Sequence, residues 1–380
     1  MPTSNEILID LMLRHQIYLR RYEKHVQNRV LTLLQDTETD LRQIIADQFV
    51  LGSNISTTRY HAMEQAISKI RKSTLEGVFH LIEDEAQKLV DLEAQHTARS
   101  IEKSLPVIFE TLLPTPQAIS SIVTTTPLQG QVMSVWANKL VSDDIIRITS
   151  QLRIAMMEGQ TAREASERIV GTAQLKGTNG QTIITARHAD TIARTGLQTF
   201  ANRIREDIFL ENQEVISNER YTATLDRRTT LLCAGLDGNL YKTGQGPKPP
   251  LHWSCRSIRI ALMNDRVLGH RPFNASTKRQ LVKEYNQKNG FPADQEIGYG
   301  HKGKFDQFAS KRKREMIGRV PAKMTYEEWM RKQPKWFQQD VLGKERMTLF
   351  RSGKIRMEQF VDHNGKELTI KQLYAIVNRT

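Results

Sequence analysis

Side chains that can bind a metal ion are concentrated in one short stretch of this sequence. Both cysteines of the chain, Cys233 and Cys255, belong to it, and His252 precedes Cys255 at His-x-x-Cys spacing. Thiolate and imidazole groups suit zinc, and this spacing lets one loop supply two ligands. Asp226 or Asp237 would supply a fourth ligand. One interpretation of the stretch is therefore a zinc site, although the chain has no Cys-x-x-Cys pair.

The same stretch permits a hydrolytic interpretation. Asp226, Asp237 and His252 could together bind a divalent ion and activate a water molecule, as hydrolases and nucleases do. The sequence shows no second carboxylate cluster, Gly-rich phosphate loop or nucleophile elbow to accompany them. We therefore assign no catalytic residue and predict that the protein is not an enzyme, with hydrolysis by these three residues as the alternative.

A structural interpretation of the stretch is the one we favour. Asp226 would accept hydrogen bonds from the backbone of a turn and from the planar fork of Arg228 or Arg256. Asp237-Gly238 is a turn dipeptide and would fix a hairpin. The cysteines would be buried thiols. Four charged residues would form one network: Asp226, Arg228, Asp237 and Arg256. The predicted structural motif comprises Asp226, Arg228, Thr229, Asp237, Gly238, Pro250 and Arg256.

The order and spacing of these residues resemble the signature of the Mu F-like phage minor head (head morphogenesis) proteins. That signature runs Asp-x-Arg-Thr, Cys, Leu-Asp-Gly, then Pro-Pro-x-His-x-x-Cys-Arg. Here it comprises Asp226, Arg228, Thr229, Cys233, Leu236, Asp237, Gly238, Pro249, Pro250, His252, Cys255 and Arg256. The segments 192–195 and 326–343 are also similar to the family. Ser257 stands where many members have a second cysteine.

The resemblance implies a protein of the capsid interior, near the portal, that acts in head morphogenesis and DNA packaging. The implied partners are the portal protein, a scaffolding or major capsid protein, and phage DNA bound without sequence preference. The chain would be made in the host cytoplasm and then reside in the virion, and some members of the family enter the host with the DNA. A toxin-linked module built on the same signature is a further alternative.

Charge and composition fit a DNA-associated protein that folds in a reducing compartment. The net charge is +13 and the pI is about 9.7, which predicts attraction to a polyanion. Two cysteines cannot stabilise so long a chain by disulfides, the N-terminus does not resemble a secretory signal, and no apolar run is long enough for a membrane span.

The positive charge is densest in residues 271–314, which hold eleven Lys or Arg against four Asp or Glu. Aromatic residues are interleaved with these cations. Clustered cations bind phosphate backbones, and exposed aromatics can stack on bases. The predicted nucleic-acid contacts are Lys302, Lys304, Lys311, Arg312, Lys313 and Arg314.

The elements that would position these residues indicate an α+β fold that is predominantly helical. We predict three parts: long N-terminal helices in residues 1–126, a helix-plus-β-meander domain in 127–270, and a small basic helix/hairpin extension in 271–380. The N-terminal part would be a helical hairpin that turns at residues 52–54. Its apolar stripe includes Tyr18 and Leu33, and Arg71 would lie on a solvated face.

Local signals give further boundaries. Residues 142–144 (Ser-Asp-Asp) predict the start of a helix. A helix over 182–212 would place Gly196 against the meander, whose strands would include 221–225 and 258–262. Asn364-Gly365 predicts a hairpin near the C-terminus. Capping boxes are predicted at Thr161–Glu164, Thr325–Glu328 and Thr369–Gln372.

Overall fold

The structure is a computed structural model that describes residues 3–49 and 57–378. The first half is helical: α1 (Ser4–Asp36), α2 (Glu38–Gln48), α3 (Thr57–Ser104), α4 (Pro116–Thr125), α5 (Met133–Met157), α6 (Ala162–Val170) and α7 (Thr182–Glu211). The predicted turn at residues 52–54 lies outside the described residues.

The second half mixes short strands with helices. In chain order it contains β1 (Asn218–Thr222), β2 (Leu225–Asp226), α8 (Leu231–Leu236), β3 (Leu240–Lys242), β4 (Ile258–Leu262), β5 (His270–Asn274), α9 (Lys278–Lys288), α10 (Lys302–Glu315), β6 (Ile317–Pro321), α11 (Tyr326–Lys332), α12 (Lys335–Arg351) and α13 (Ile370–Val377). Short 3-10 turns lie at Tyr299–His301 and Met357–Phe360. The predominantly helical α+β class is thus confirmed.

Two three-stranded sheets replace the predicted meander. In the first, β1 is central and pairs antiparallel with both β3 and β4. In the second, β5 is central, parallel to β2 and antiparallel to β6. The meander was wrong because β2 leaves the first sheet and α8 intervenes before β3. Asp237-Gly238 consequently joins α8 to β3 and does not close a hairpin.

One hydrophobic core extends across the predicted boundary at residues 126 and 127. It joins Val26 of α1, Ile82 of α3, Phe200 of α7 and Ile260 of β4, all with exposed fractions of 2% or less. Helices α1 and α3 bury their apolar faces against α7, because neither amphipathic face could be buried alone. The N-terminal helices and the central elements therefore share a core.

The second predicted boundary, between residues 270 and 271, falls within β5. This strand pairs with β2 on one side and β6 on the other, so the second sheet spans the boundary. A separate core fills the C-terminal elements around Trp329, Phe337, Phe350 and Phe360. Near the C-terminus, Gly365 has a positive φ, but only an isolated bridge between Val361 and Glu367 forms where a hairpin was predicted.

Several helical signals were correct. The three predicted capping boxes are present, and α7 ends one residue before its predicted limit. Gly196 does allow close approach, since a Cβ there would lie 2.8 Å from Met133 Cε, but the neighbour is α5 and not the meander. Tyr18 and Leu33 are exposed, because the stripe that α1 packs against α3 and α7 contains their neighbours Leu19 and Leu34.

The predicted positions of two charged residues, Asp144 and Arg71, were wrong. Asp144 lies inside α5 rather than at a helix start, and Arg71 is buried rather than solvated. Their side chains meet at 2.6 Å, Arg71 Nε donating to Asp144 Oδ2, and Thr185 also donates to Asp144. Each charge is buried because the other compensates it. Of the described helices, none combines the length and apolarity that a membrane span needs.

Candidate functional site

The predicted metal ligands converge between α8 and the loop before β4. The Thr230 hydroxyl caps α8 by accepting from the backbone N–H of Cys233, which fixes that residue in the first turn. Cys233 Sγ then lies 3.7 Å from Cys255 Sγ and 3.3 Å from His252 Nε2. The three donor atoms all lie within 4.8 Å of one another.

These separations fit a tetrahedral zinc ion. Zn–S bonds of about 2.3 Å and Zn–N bonds of about 2.0 Å place two sulfurs about 3.8 Å apart, and a sulfur and a nitrogen about 3.5 Å apart. Cys233 and Cys255 are 1% and 2% exposed, and both are free thiols. Two thiolates and one imidazole form a donor set typical of zinc, so these residues could hold the ion.

Neither Asp226 nor Asp237 is placed to be the fourth ligand, because an arginine side chain binds the carboxylate of each. Three hydroxyl groups lie near the donors instead. Tyr221 Oη donates to Cys233 Sγ at 3.2 Å, and Thr230 Oγ1 lies 3.1 Å from His252 Nε2. Ser257 is buried, and its hydroxyl opposes the rise in the pKa of Cys233 that the hydrogen bond with Cys255 and burial cause. A fourth position would therefore be filled by a hydroxyl group or by water.

Proton sharing within the cluster favours one thiolate. A hydrogen bond from Cys233 lowers the pKa of Cys255 against the effect of burial, and His252 lowers it further. The same hydrogen bond, with burial, raises the pKa of Cys233. Burial alone would lower the pKa of His252, but its hydrogen bond to Cys255 and the charge there raise it. These shifts favour the thiolate, the form that binds metals, at Cys255 rather than at Cys233.

The loop that carries His252 is held in place by its backbone. His252 Nδ1 lies 2.9 Å from the carbonyl oxygen of Trp253, which directs Nε2 toward the sulfurs. The backbone N–H of Ser254, a residue with φ of 57°, donates to Thr195 Oγ1 of α7 at 2.9 Å. The Pro249-Pro250 bond is cis, and Asn202 and Gln129 donate to their two carbonyl oxygens.

Asp226 is the centre of the first clamp, which comprises Asp226 and Arg256. The guanidinium of Arg256 binds both carboxylate oxygens, and its Nη2 lies 2.7 Å from Oδ1. The backbone N–H of Arg228 donates to Oδ1 at 2.9 Å, as predicted for a turn. Burial alone would raise the pKa of Asp226, but the hydrogen bonds and charge of Arg256 lower it. The side chain of Arg228 is 63% exposed, 3.8 Å from Asp226.

Asp237 is the centre of a second clamp, which comprises Asp237 and Arg271. Arg271 Nη1 donates to Oδ2 at 2.8 Å, and both side chains are almost fully buried. The backbone N–H of Ala223 donates to Oδ1 and that of Tyr326 donates to Oδ2. The single network predicted for Asp226, Arg228, Asp237 and Arg256 was therefore wrong. Asp237 pairs with a cation that the sequence had assigned to the DNA-binding region.

Tyr326 joins the two clamps, and sequence reasoning missed it. Its hydroxyl donates to the carbonyl oxygen of Asp226 at 2.8 Å, while its backbone N–H binds the carboxylate of Asp237. Gly238 makes this approach possible, because its φ is +95° and a Cβ would lie 2.6 Å from Thr325 Cγ2. The capping box at Thr325–Glu328, which starts α11, was the only local signal for this contact.

The predicted nucleic-acid contacts all lie on α10, and all except Arg312 are free to bind a phosphate. Arg312 is engaged by two carboxylates, at 2.7 Å from Glu284 and 2.6 Å from Glu315. The exposed cations are Lys302, Lys304, Lys311, Lys313 and Arg314. Tyr285, Phe305 and Phe308 pack against one another, which does not support base stacking by these rings. Tyr299 differs from them, because it is 95% exposed.

A second group of potential ligands, His15, Glu93 and His96, joins α1 to α3. Glu93 accepts from His15 Nε2 at 2.7 Å and from Arg205 Nε of α7 at 2.5 Å. The two imidazoles stack with ring centroids 3.6 Å apart. Burial and the neighbouring His15 lower the pKa of His96 to about 4. Because Arg205 already neutralises Glu93, this group is better suited to an ion pair in the core than to a metal.

Comparison of the chain with family models, with curated proteins and with solved structures finds no match.

The two clamps predict separate pairwise couplings. Removing one partner of a buried ion pair should cost about 3–5 kcal/mol of unfolding free energy, because it leaves the other charge uncompensated. We expect Asp226→Asn and Arg256→Met to be strongly non-additive, and Asp237→Asn and Arg271→Met likewise. Coupling across the clamps, for example between Asp226→Asn and Arg271→Met, should be smaller. Chemical denaturation of single and double variants measures all these terms.

Arg228→Met is the matched control, because it removes an arginine whose side chain is exposed. We expect a loss of about 1 kcal/mol or less. Additive effects within a clamp, or a loss for Arg228→Met as large as that for Arg256→Met, would contradict the assignment.

The donor geometry predicts one zinc ion per chain. Zinc measured by mass spectrometry of the purified protein should approach one equivalent, and Cys233→Ser and Cys255→Ser should each abolish it. Chelation should lower the thermal midpoint by several degrees, because an ion bound only in the folded state stabilises it. Ser254→Ala, in the same loop but outside the donor group, should retain zinc. A metal-free protein whose midpoint does not respond to chelator would refute the site.

Proposed function

We propose that this chain is a structural protein of a phage head, located in the capsid interior near the portal and acting in head morphogenesis and DNA packaging. One observation supports this above the others. Apart from the exposed Arg228, the charged and metal-binding residues of the signature form adjacent buried groups, the two clamps and the donor cluster, which connect α7, α8, both sheets and α11. This arrangement suits residues whose task is to hold a fold together, and their order along the chain resembles that of the Mu F-like minor head proteins.

The contacts of the aspartates weigh against the hydrolase and nuclease alternative. A carboxylate that binds a catalytic metal or activates water needs free lone pairs. Arginine forks and backbone N–H groups occupy the oxygens of Asp226 and Asp237. His252 directs Nε2 toward buried thiols. The three residues proposed for catalysis thus have separate structural partners.

The proposed partners are the portal protein, a scaffolding or major capsid protein, and phage DNA. In the experiment that tests the role, virions are purified from the phage whose genome encodes the chain and analysed by quantitative mass spectrometry. We expect this protein inside the particles at low copy number relative to the major capsid protein. Its absence from complete particles would contradict the proposal.

Two variants test whether head assembly depends on the stability that the first clamp provides. Arg227→Gln removes a half-exposed cation that lies 3.7 Å from Asp340, a loose pair, whereas Arg256→Met removes the bidentate partner of Asp226. We expect Arg256→Met to lose head assembly together with stability, and Arg227→Gln to retain both. Metal-dependent DNA cleavage that His252→Gln abolishes without unfolding would favour the hydrolase alternative instead.

Non-specific DNA binding by α10 is a separate prediction. Changing Lys311, Lys313 and Arg314 to Gln should weaken duplex binding equally for unrelated sequences and reduce its dependence on salt, because fewer counterions are released. Arg312→Gln is the matched control; it should change affinity less, since Glu284 and Glu315 already neutralise that charge. Affinity should be measured by fluorescence anisotropy at several salt concentrations. Binding that is insensitive to salt, or unchanged in the triple variant, would contradict the prediction.

A further inference from the structure

A cavity of about 390 Å³ opens between α1, α7 and the chain that follows β1. We call it the arginine cleft, after the side chains that line it. Its cationic lining comprises Arg20, Lys24, Arg194, Arg228, Arg256 and Arg271. Among the described residues that line the cleft, Glu23 supplies the one carboxylate. This volume is within the range of small-molecule sites, and the lining predicts an anionic ligand.

The inner cations of the cleft are held rigidly. Arg256 forms the fork on Asp226, and Arg20 binds Glu23 at 2.8 Å and the carbonyl oxygen of Arg256 at 3.0 Å. Gln198 of α7 also accepts from Arg20. These bonds fix the floor of the cleft before any ligand arrives, so little ordering of side chains would oppose binding there.

The outer cations retain donors for a ligand. The guanidinium of Arg194 lies 3.6 Å from Asp190, a distance too long for a strong charge-assisted hydrogen bond. That of Arg228 lies 3.8 Å from Asp226, whose oxygens Arg256 already binds. Both side chains reach solvent, so each can turn a planar fork toward the cleft.

The positive charges that line the cleft are crowded together and only partly neutralised by carboxylates. The Arg228 side chain is largely exposed, but its partial burial lowers the pKa of its guanidinium, and the charges of Arg256 and Arg194 lower it further. Burial also lowers the pKa of Arg20; Glu23 opposes this shift, while Arg256 and Arg194 add to it. An anion in the cleft would relieve this repulsion. Leu13, Ile17 and Ile258 add apolar surface to the lining of the same cavity.

We propose that the arginine cleft is a binding site for a phosphate group. A tetrahedral phosphate offers several oxygens at once, which matches two arginine forks with Lys24 beside them. The same chemistry is present in a DNA phosphodiester and in a free mononucleotide. The cleft lies apart from α10, and it does not depend on the proposed role in a phage head.

Binding to the purified full-length chain tests the site. The probes are inorganic phosphate, thymidine monophosphate and a short single-stranded oligonucleotide, measured by calorimetry. The double variant Arg194→Gln/Arg228→Gln removes the two outer forks and should weaken phosphate-probe binding by about tenfold or more. Lys344→Gln/Lys354→Gln is the matched control, with equal loss of charge at two exposed lysines outside the cleft and outside α10, and should leave binding of all three probes unchanged.

The outcomes separate the sources of phosphate. Saturable binding of thymidine monophosphate that is lost in the cleft variant identifies a small phosphate compound. Binding of the oligonucleotide alone, with the same loss, identifies a DNA backbone. If both probes bind the cleft variant as they bind the unaltered protein, the proposal is wrong. A glutamate-rich peptide that binds the cleft when the phosphate probes do not would also overturn it.

Chemical modification provides a test that no folding defect can obscure. Phenylglyoxal modifies accessible arginines, and modified positions are mapped by mass spectrometry of the unaltered protein. A bound phosphate probe should protect Arg194 and Arg228 while Arg227, exposed on the neighbouring surface, is modified as before. Equal modification of all three with and without a saturating probe would refute the site.

Discussion

The burial of two carboxylates, Asp226 and Asp237, is the constraint on which the second half of the chain depends. Asp237 and Asp226 both lie where water cannot solvate them, so each needs a cation and additional donors. Asp237 obtains its cation from β5 and a backbone N–H from the start of α11. The segment after residue 270 is therefore an integral part of the site and cannot be regarded as an appended extension.

The first clamp transmits a similar requirement toward the N-terminus. Arg256 is fixed by Asp226, and its carbonyl oxygen accepts from Arg20 of α1, which is itself held by Glu23. Cys255 is the preceding residue, so the position of its sulfur is restrained by α1 as well as by the loop that carries His252. The donor cluster is thus pre-organised by ion pairs around it, which is the condition a metal site needs to bind without distortion.

Features that depend on a few neighbouring residues could be predicted from the sequence. Contacts between residues far apart in the chain could not. Capping boxes at Thr161, Thr325 and Thr369, and the positive φ of Gly238, follow from local geometry. The grouping of Cys233, His252 and Cys255 was correct, although Cys233 lies on a helix that its cap at Thr230 could have indicated. Arg71 hydrogen-bonds Asp144, 73 residues away in the sequence, and Tyr326 hydrogen-bonds Asp237, 89 residues away. Spacing contains no information about such pairs, and the helical pattern of α3 placed Arg71 on a solvated face although it is buried.

The same distinction changes the meaning of the net charge of +13. Counted along the chain, residues 271–314 form the most basic region, yet Arg271 is buried on Asp237 and Arg312 is held by two glutamates. Arg194 and Arg228 belong to no such run, but they keep donors directed toward a cleft whose inner cations are already fixed. A polyanion responds to the charge that remains unpaired after folding, and that distribution is determined by where the carboxylates are buried. Cation density in the sequence therefore locates one candidate surface on α10, whereas the pairing pattern of the fold locates another.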